Sequence, residues 1–254
     1  MRWAIYRIHY GLDFLKVSIN SIYPYVDKIF IGYSLEPWSK KSKVNYLGKE
    51  IDMPKLHEKV DKWLEENYGN DSKIKLFNYE TNTPKNQFKI YLDHCINNEQ
   101  IIPNTTLFIE PDMVFEGNSV HRHFNILESL KENSKIQSIG MYQIEVWKYL
   151  NWRIPLRPRI GPVIFNTGRT QDFSTGFGTT GNLPIGVSDL KTYNFGFCFN
   201  PKTMLYKILA SINFSKEIGD SIPSHEWYEE KWLNWNPSKI DLEISERHKN
   251  AIQK

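Results

Sequence analysis

Two carboxylates one residue apart, Glu110 and Asp112, follow the apolar run Leu107-Phe108-Ile109. A buried strand that ends on acidic side chains offers hard oxygen ligands at its carboxyl end. Mg²⁺ or Mn²⁺ takes one or two carboxylates, keeps several waters and shares substrate phosphates. A cation placed there offsets the charge on a departing diphosphate. The same spacing also describes a solvated acidic turn. What favours a ligand site is the strand ahead of it, because open parallel sheets bind ligands at the carboxyl ends of their strands.

Three other groups of residues have chemical potential. Lys85, Asn86 and Lys89 follow Thr83-Pro84 at the start of a helical pattern. A helix N-terminus attracts anions, and a solvated helix face explains the same lysines. Arg153, Arg157 and Arg159 share a Pro-rich stretch with Trp147 and Trp152. Guanidinium groups suit phosphate and indoles suit sugars or bases; a basic loop anchored by tryptophans is the plainer alternative. Cys95 and Cys198 have no metal spacing and read as buried thiols in a reducing compartment.

The elements that must position these residues alternate. Strand patterns at Trp3–Ile8, Lys28–Tyr33, Lys73–Tyr79 and Thr105–Ile109 are separated by helical ones, the signature of βαβ units and a mainly parallel sheet. Asp13–Tyr23 carries Phe14, Leu15, Ile19 and Ile22 at helical spacing, and Pro24 stops it. Ser34–Met53 reads as a polar loop with a basic cluster, Lys40, Lys41 and Lys43. Asp52 is placed to cap a helix starting at Pro54, with Leu56, Val60, Leu64 and Tyr68 as its stripe and Gly69 at its end. Phe88, Leu92 and Ile96 mark the third helix. In the second half, Ile136–Trp147 reads as a further strand and Lys148–Gly181 as loops. Asn200-Pro201 opens a helix with Leu205, Ile208, Leu209 and Ile212 inward. Ser224–Trp235 reads as a last helix, and Lys239–Lys254 as a surface helix or frayed tail.

A chain of 254 residues fits one α/β domain with a large core. The net charge of +3 is too small for a dedicated nucleic-acid binder, yet it permits nucleotide phosphates as partners. Arg7 and His9 interrupt the first apolar run, so no signal-peptide core forms, and no stretch is apolar enough to span a membrane. The expectation is a cytoplasmic protein with no integral membrane segment.

Tyr10-Gly11-Leu12-Asp13-Phe14-Leu15 and the run from Ser21 to Ile31 resemble the opening of GT-A glycosyltransferase-like proteins of phages and bacteria. Leu107–Val114, reading LFIEPDMV, is similar to that family's aspartate-any-aspartate metal motif, and Trp227–Trp235, WYEEKWLNW, also looks familial. The resemblance covers residues 1 to 115 well and the remainder loosely. It implies a GT-A, Rossmann-like sheet flanked by helices, with residues 1–115 as the nucleotide-sugar-binding half and 116–254 as the acceptor-binding half. By resemblance, Tyr10, Gly11, Tyr33 and Ser34 hold base and ribose. Asn86, Lys89 and Glu110 join the donor site, and Glu110, Asp112 and His225 serve as ligands for Mn²⁺ or Mg²⁺. The first motif position here is Glu110 where the family has aspartate, which makes Asp112 the safer ligand and leaves Glu110 to ribose or a metal-bound water. Asp189, Glu226 and Glu229 are candidates for the base of an inverting reaction; a retaining one needs none.

The activity implied is transfer of a sugar from a nucleoside-diphosphate-sugar donor, UDP-linked first, to a hydroxyl. Acceptors of two kinds fit the resemblance: a saccharide, or a hydroxymethylated base in phage DNA. A nucleotidyltransferase shares the nucleotide half, but no Gly-rich, Lys-containing phosphate loop follows the first strand. A non-catalytic glycan- or nucleic-acid-binding module on a degenerate transferase fold is the alternative from a different class.

Overall fold

The computed structural model describes residues 1–36, 42–79, 87–130, 136–150, 152–153, 160–168, 185–212, 228–235 and 252–253. β1 (Arg2–Ile8), α1 (Leu12–Ile22), β2 (Lys28–Tyr33), α2 (Val60–Tyr68), β5 (Ile74–Asn78), α3 (Gln87–Glu99) and β6 (Thr105–Ile109) form successive βαβ crossovers. Between β2 and α2 lies a hairpin of β3 (Lys43–Tyr46) and β4 (Lys49–Asp52). Then follow β7 (Met113–Phe115), α4 (Ser119–Ser129), β8 (Ser138–Trp147), β9 (Trp152–Arg153), β10 (Ile160–Asn166), β11 (Ile185–Phe197), α5 (Pro201–Ile212), a π-helical turn (Tyr228–Leu233) and β12 (Ile252–Gln253).

One large mixed sheet runs in the order β12-β9-β8-β10-β6-β1-β2-β5, with β11 paired to β7 and β8. The pairings β6/β1, β1/β2 and β2/β5 are parallel, and helices cover both faces. This is the Rossmann-like α/β architecture of GT-A type expected from the sequence. β1 shows why the strand reads as a continuous apolar run. Ala4, Tyr6 and Ile8 pack with α1, α2 and α4 on one face, while Trp3 and Ile5 pack with α3 on the other. Strands buried on both sides have no polar face to alternate with.

Several boundaries differ from expectation. Asp52 caps no helix: it ends β4 opposite Lys43, and the helix begins six residues after Pro54, at Val60. The hairpin turns on Leu47 and Gly48, both at positive φ, the combination two-residue hairpin loops demand. Part of the basic cluster of the expected polar loop, Lys43, is therefore in a strand; Lys40 and Lys41 lie outside the described residues. The expected loop region from Lys148 contributes β10, which inserts antiparallel between β6 and β8. Trp147 is fully buried with Phe199, Tyr228 and Trp232 in a third cluster, so it anchors the chain and presents no indole face to a ligand. Among the described residues, no helix is long and apolar enough to cross a membrane.

Candidate active site

The chain reverses its direction across the sheet at β1. From there β2 and β5 follow on one side, and β6 lies on the other, joined through α3 on the opposite face. The crevice outside the carboxyl ends of β1 and β6 is thus the topological switch point, where such sheets take ligands. Arg7, His9, Tyr10 and Gly11 stand at the end of β1, and Glu110 and Asp112 at the end of β6.

Glu110 pairs with Arg7, whose guanidinium is buried and lies 4.9 Å over the Phe88 ring. Burial pushes the Glu110 carboxyl up, Arg7 opposes it, and Asp112 adds to the rise. Asp112 follows in a tight turn, in which the Met113 N–H donates to the Glu110 carbonyl at 3.2 Å. β7 then pairs antiparallel with β11, Met113 opposite Asn194, and the Phe195 N–H donates to the Asp112 carbonyl at 2.8 Å. That pairing brings α5 beside the switch point. Lys207 of α5 places Nζ 3.6 Å from Asp112 Oδ2 and donates to the Gly196 carbonyl at 2.8 Å. Asp112 Oδ1 is buried and has no hydrogen-bond partner among the described residues. The residue as a whole is only 7% exposed.

The remaining candidates separate into those near this point and those elsewhere. His9 is buried, with Nδ1 2.9 Å from the Ser34 carbonyl and Nε2 2.8 Å from the Tyr206 hydroxyl. A carbonyl only accepts, so Nδ1 carries a proton. Ser34 is itself buried and donates its hydroxyl to the Glu36 carbonyl at 2.8 Å. Tyr10 meets Phe199 and Tyr206 edge-on. Gly11 donates its N–H to Glu58 Oε2 at 2.8 Å, so a carboxylate of this chain already sits at the start of α1. Tyr33 ends β2 half-buried, its phenol pushed up by burial. Lys89 points outward along α3 and pairs with Asp93, Nζ to Oδ1 2.6 Å.

Asp189 lies on β11 where the register to β8 shifts between Ser188 and Lys191. Glu229 accepts a hydrogen bond from the Tyr46 hydroxyl, which ties the hairpin to the π-helical turn and pushes the Tyr46 phenol up to about 12. Lys85, Asn86, Arg157, Arg159, His225 and Glu226 lie outside the described residues. Sequence reasoning missed Arg7 and Lys207, the two cations that face the acidic pair. A separate concavity at the amino ends of β1 and β6, lined by Arg2, Tyr25, Asp27, Asn104, His121 and Glu128, is at the other end of the sheet.

No protein-family model matches the chain, and no curated protein matches it. Among solved structures the chain is similar to S. aureus TarS. The crystal structure of TarS 1-349 aligns at a TM-score of 0.45 and 12% identity, covering 95% of this chain and 76% of that one. A second TarS crystal structure aligns at 0.44 and 11%, covering 84% of this chain and 39% of that one. Likeness at this level carries no argument about substrate or reaction.

Proposed function

We propose that the chain transfers a sugar from a nucleoside-diphosphate sugar, with a UDP-sugar as the first donor to test, to a saccharide hydroxyl. The observation that supports this reading is Asp112 Oδ1, a buried carboxylate oxygen without a partner at the switch point of the sheet. An unpartnered buried acceptor costs free energy unless a ligand satisfies it. A divalent cation fits the donor set: one carboxylate oxygen, with waters and diphosphate oxygens completing the shell. Asp112 would hold Mn²⁺ or Mg²⁺, and Glu110, engaged by Arg7, stands behind it. When bound, the cation supplies charge neutralisation for the leaving diphosphate.

The chain's own groups do the rest. Arg7 pairs with Glu110 and opposes the upward push of burial on its carboxyl. Lys207 adds a fixed positive charge beside Asp112. In transfer, the bond from the anomeric carbon to the diphosphate oxygen breaks and a bond to the acceptor oxygen forms. The acceptor proton passes to a base in an inverting reaction, for which Asp189 and Glu226 are the candidates. Arg7 and Lys207 are each matched to a carboxylate.

Calorimetry with UDP, in Mn²⁺ and in EDTA, followed by mass-detected hydrolysis of a UDP-sugar panel, tests the reading. Metal-dependent binding and hydrolysis are expected. Binding without hydrolysis points to a non-catalytic module, and no diphosphate binding in Mn²⁺ overturns the proposal.

A further inference from the structure

The concavity at the amino ends of β1 and β6 encloses about 830 Å³, a volume that suits a small ligand. β1 is 7 residues long. At about 3.3 Å per residue, the concavity stands roughly 20 Å from the switch point. The donor reading makes no use of it.

Its wall is braced. Arg2, the first residue of β1, reaches across to α4. Nε donates to Glu128 Oε1 at 2.9 Å, and Nη2 donates to Glu128 Oε2 at 2.5 Å and to Asn125 Oδ1 at 2.7 Å. Nη1 lies 3.1 Å from His121 Nδ1, and the guanidinium packs 5.0 Å from the centre of the Phe124 ring. Thr105, opposite Arg2 in the sheet, adds a hydrogen bond to Glu128 Oε1 at 3.1 Å. Tyr25 ends a 3₁₀ turn that contains Pro24, and its ring stands 5.4 Å from that of His121. These two half-buried rings form one aromatic wall.

Three polar groups of the lining remain uncommitted. Asp27 accepts the Arg2 backbone N–H at Oδ2, 2.7 Å, and its Oδ1 has no partner among the described residues. The Tyr25 hydroxyl has none there either. Asn104 is fixed through its backbone: its N–H donates to the Met1 carbonyl and its carbonyl accepts from the Thr167 N–H, both at 2.9 Å. Its carboxamide has no partner among the described residues. The set offers a carboxylate that accepts, and a carboxamide and a hydroxyl that each donate and accept. Sugar hydroxyls use this mixture, and an aromatic wall suits the C–H face of a sugar ring. Phosphate fits poorly, because Asp27 and Glu128 repel it and Arg2 is already engaged by Glu128 and Asn125.

We propose that this concavity is a binding subsite for a neutral saccharide, separate from the donor crevice. On the function proposed above, it holds a stretch of a polymeric acceptor away from the reacting hydroxyl and so raises the acceptor's effective concentration. Binding itself does not depend on the donor reading.

The test titrates neutral hexasaccharides of glucose, of galactose and of N-acetylglucosamine into the isotope-labelled full chain, with inorganic phosphate as the contrast. Binding is read from the side-chain amide resonance of Asn104, identified by its loss in Asn104→Ala, and by calorimetry. At least one hexasaccharide should shift that resonance saturably, and phosphate should not. Asn104→Ala and Tyr25→Ala should each weaken binding about fivefold or more. Tyr25→Phe keeps the ring and should lose less, which preserves the test if Tyr25→Ala fails to fold. Asp112→Asn, at the other end of the sheet, should bind the hexasaccharide as the parent does. No saturable shift with any of the three saccharides overturns the inference, as does binding that Asn104→Ala and Tyr25→Ala leave unchanged, or a shift produced by phosphate instead. A chain that binds the hexasaccharide here and no UDP in Mn²⁺ keeps this subsite and loses the donor reading; the reverse result loses the subsite alone.

Discussion

Arg7 and Glu110 form an ion pair between the adjacent parallel strands β1 and β6, with the guanidinium buried over Phe88. Glu110 is held in this pair, whereas the buried Oδ1 of Asp112 has no hydrogen-bond partner among the described residues. Removing one partner of a buried pair strands the other charge, at a cost of about 3–5 kcal/mol. Glu110→Gln is therefore expected to lower stability by that order, and Arg7→Met similarly, while the double variant loses less than the sum. Denaturant melts of the two single variants and the double variant check this. Additive losses would mean that the pair is not coupled.

Gly11 holds the turn from β1 into α1 at φ 90°, and a Cβ there would stand 2.8 Å from the Phe199 ring. Left-handed backbone at a non-glycine residue costs about 1–3 kcal/mol. Gly11→Ala should lose at least that much, since the ring must also shift. Thermal melting of Gly11→Ala against Gly11→Ala/Phe199→Leu separates the backbone cost, which persists, from the steric one, which the second change relieves.

The parallel half of the fold was legible because its strands are buried on both faces. Ile29, Ile31, Leu107 and Ile109 leave little else to conclude. β10 was hidden by Gly161-Pro162, a pair that reads as a turn. The strand accommodates it in a register shift between Ile160 and Val163, the kind of irregularity where proline is tolerated within a sheet. β11 was hidden by a second shift between Ser188 and Lys191, which breaks the alternation a strand is recognised by. The Pro54 start of α2 failed because a strand in a hairpin competed for Asp52. At the site, Glu110 and Asp112 were legible from the strand before them. Arg7 and Lys207 were not, because their partners lie 103 and 95 residues away in the chain, and no local pattern encodes that contact.

Burial raises the Glu128 carboxyl, but the hydrogen bonds and charge of Arg2, with the Thr105 hydroxyl, outweigh it and hold it below the usual range. A carboxyl lowered by folding adds stability that is present above its unfolded value, about 4.3, and is lost as pH falls through its folded one. Glu128→Gln should flatten the acid side of the melting-temperature profile and leave the neutral side parallel to the parent. An unchanged acid limb would show that the pair with Arg2 adds nothing measurable.

Cys95 packs against Trp3, Ile5 and Phe108, and burial pushes its thiol up to about 12. Cys198, half-buried, is pushed to about 12 as well, chiefly by burial. Only the thiolate is reactive. Native protein at pH 8 should therefore react slowly with a thiol-specific chromophore and release two equivalents promptly once denatured. Prompt labelling of the native chain would contradict the burial of these residues.

Turnover of Asp112→Asn, measured beside its melting temperature with Mn²⁺ and an accepted donor, is the most direct test of the metal–diphosphate site. Asparagine keeps the shape of the side chain and removes the charge that would hold a cation at Oδ1. Losing roughly 3 kcal/mol of transition-state stabilisation slows the reaction by roughly a hundredfold or more. The expected result is that loss of rate in a protein that melts close to the parent, with Mn²⁺–UDP binding weakened in parallel. Near-native turnover and unchanged Mn²⁺–UDP binding in Asp112→Asn would contradict it.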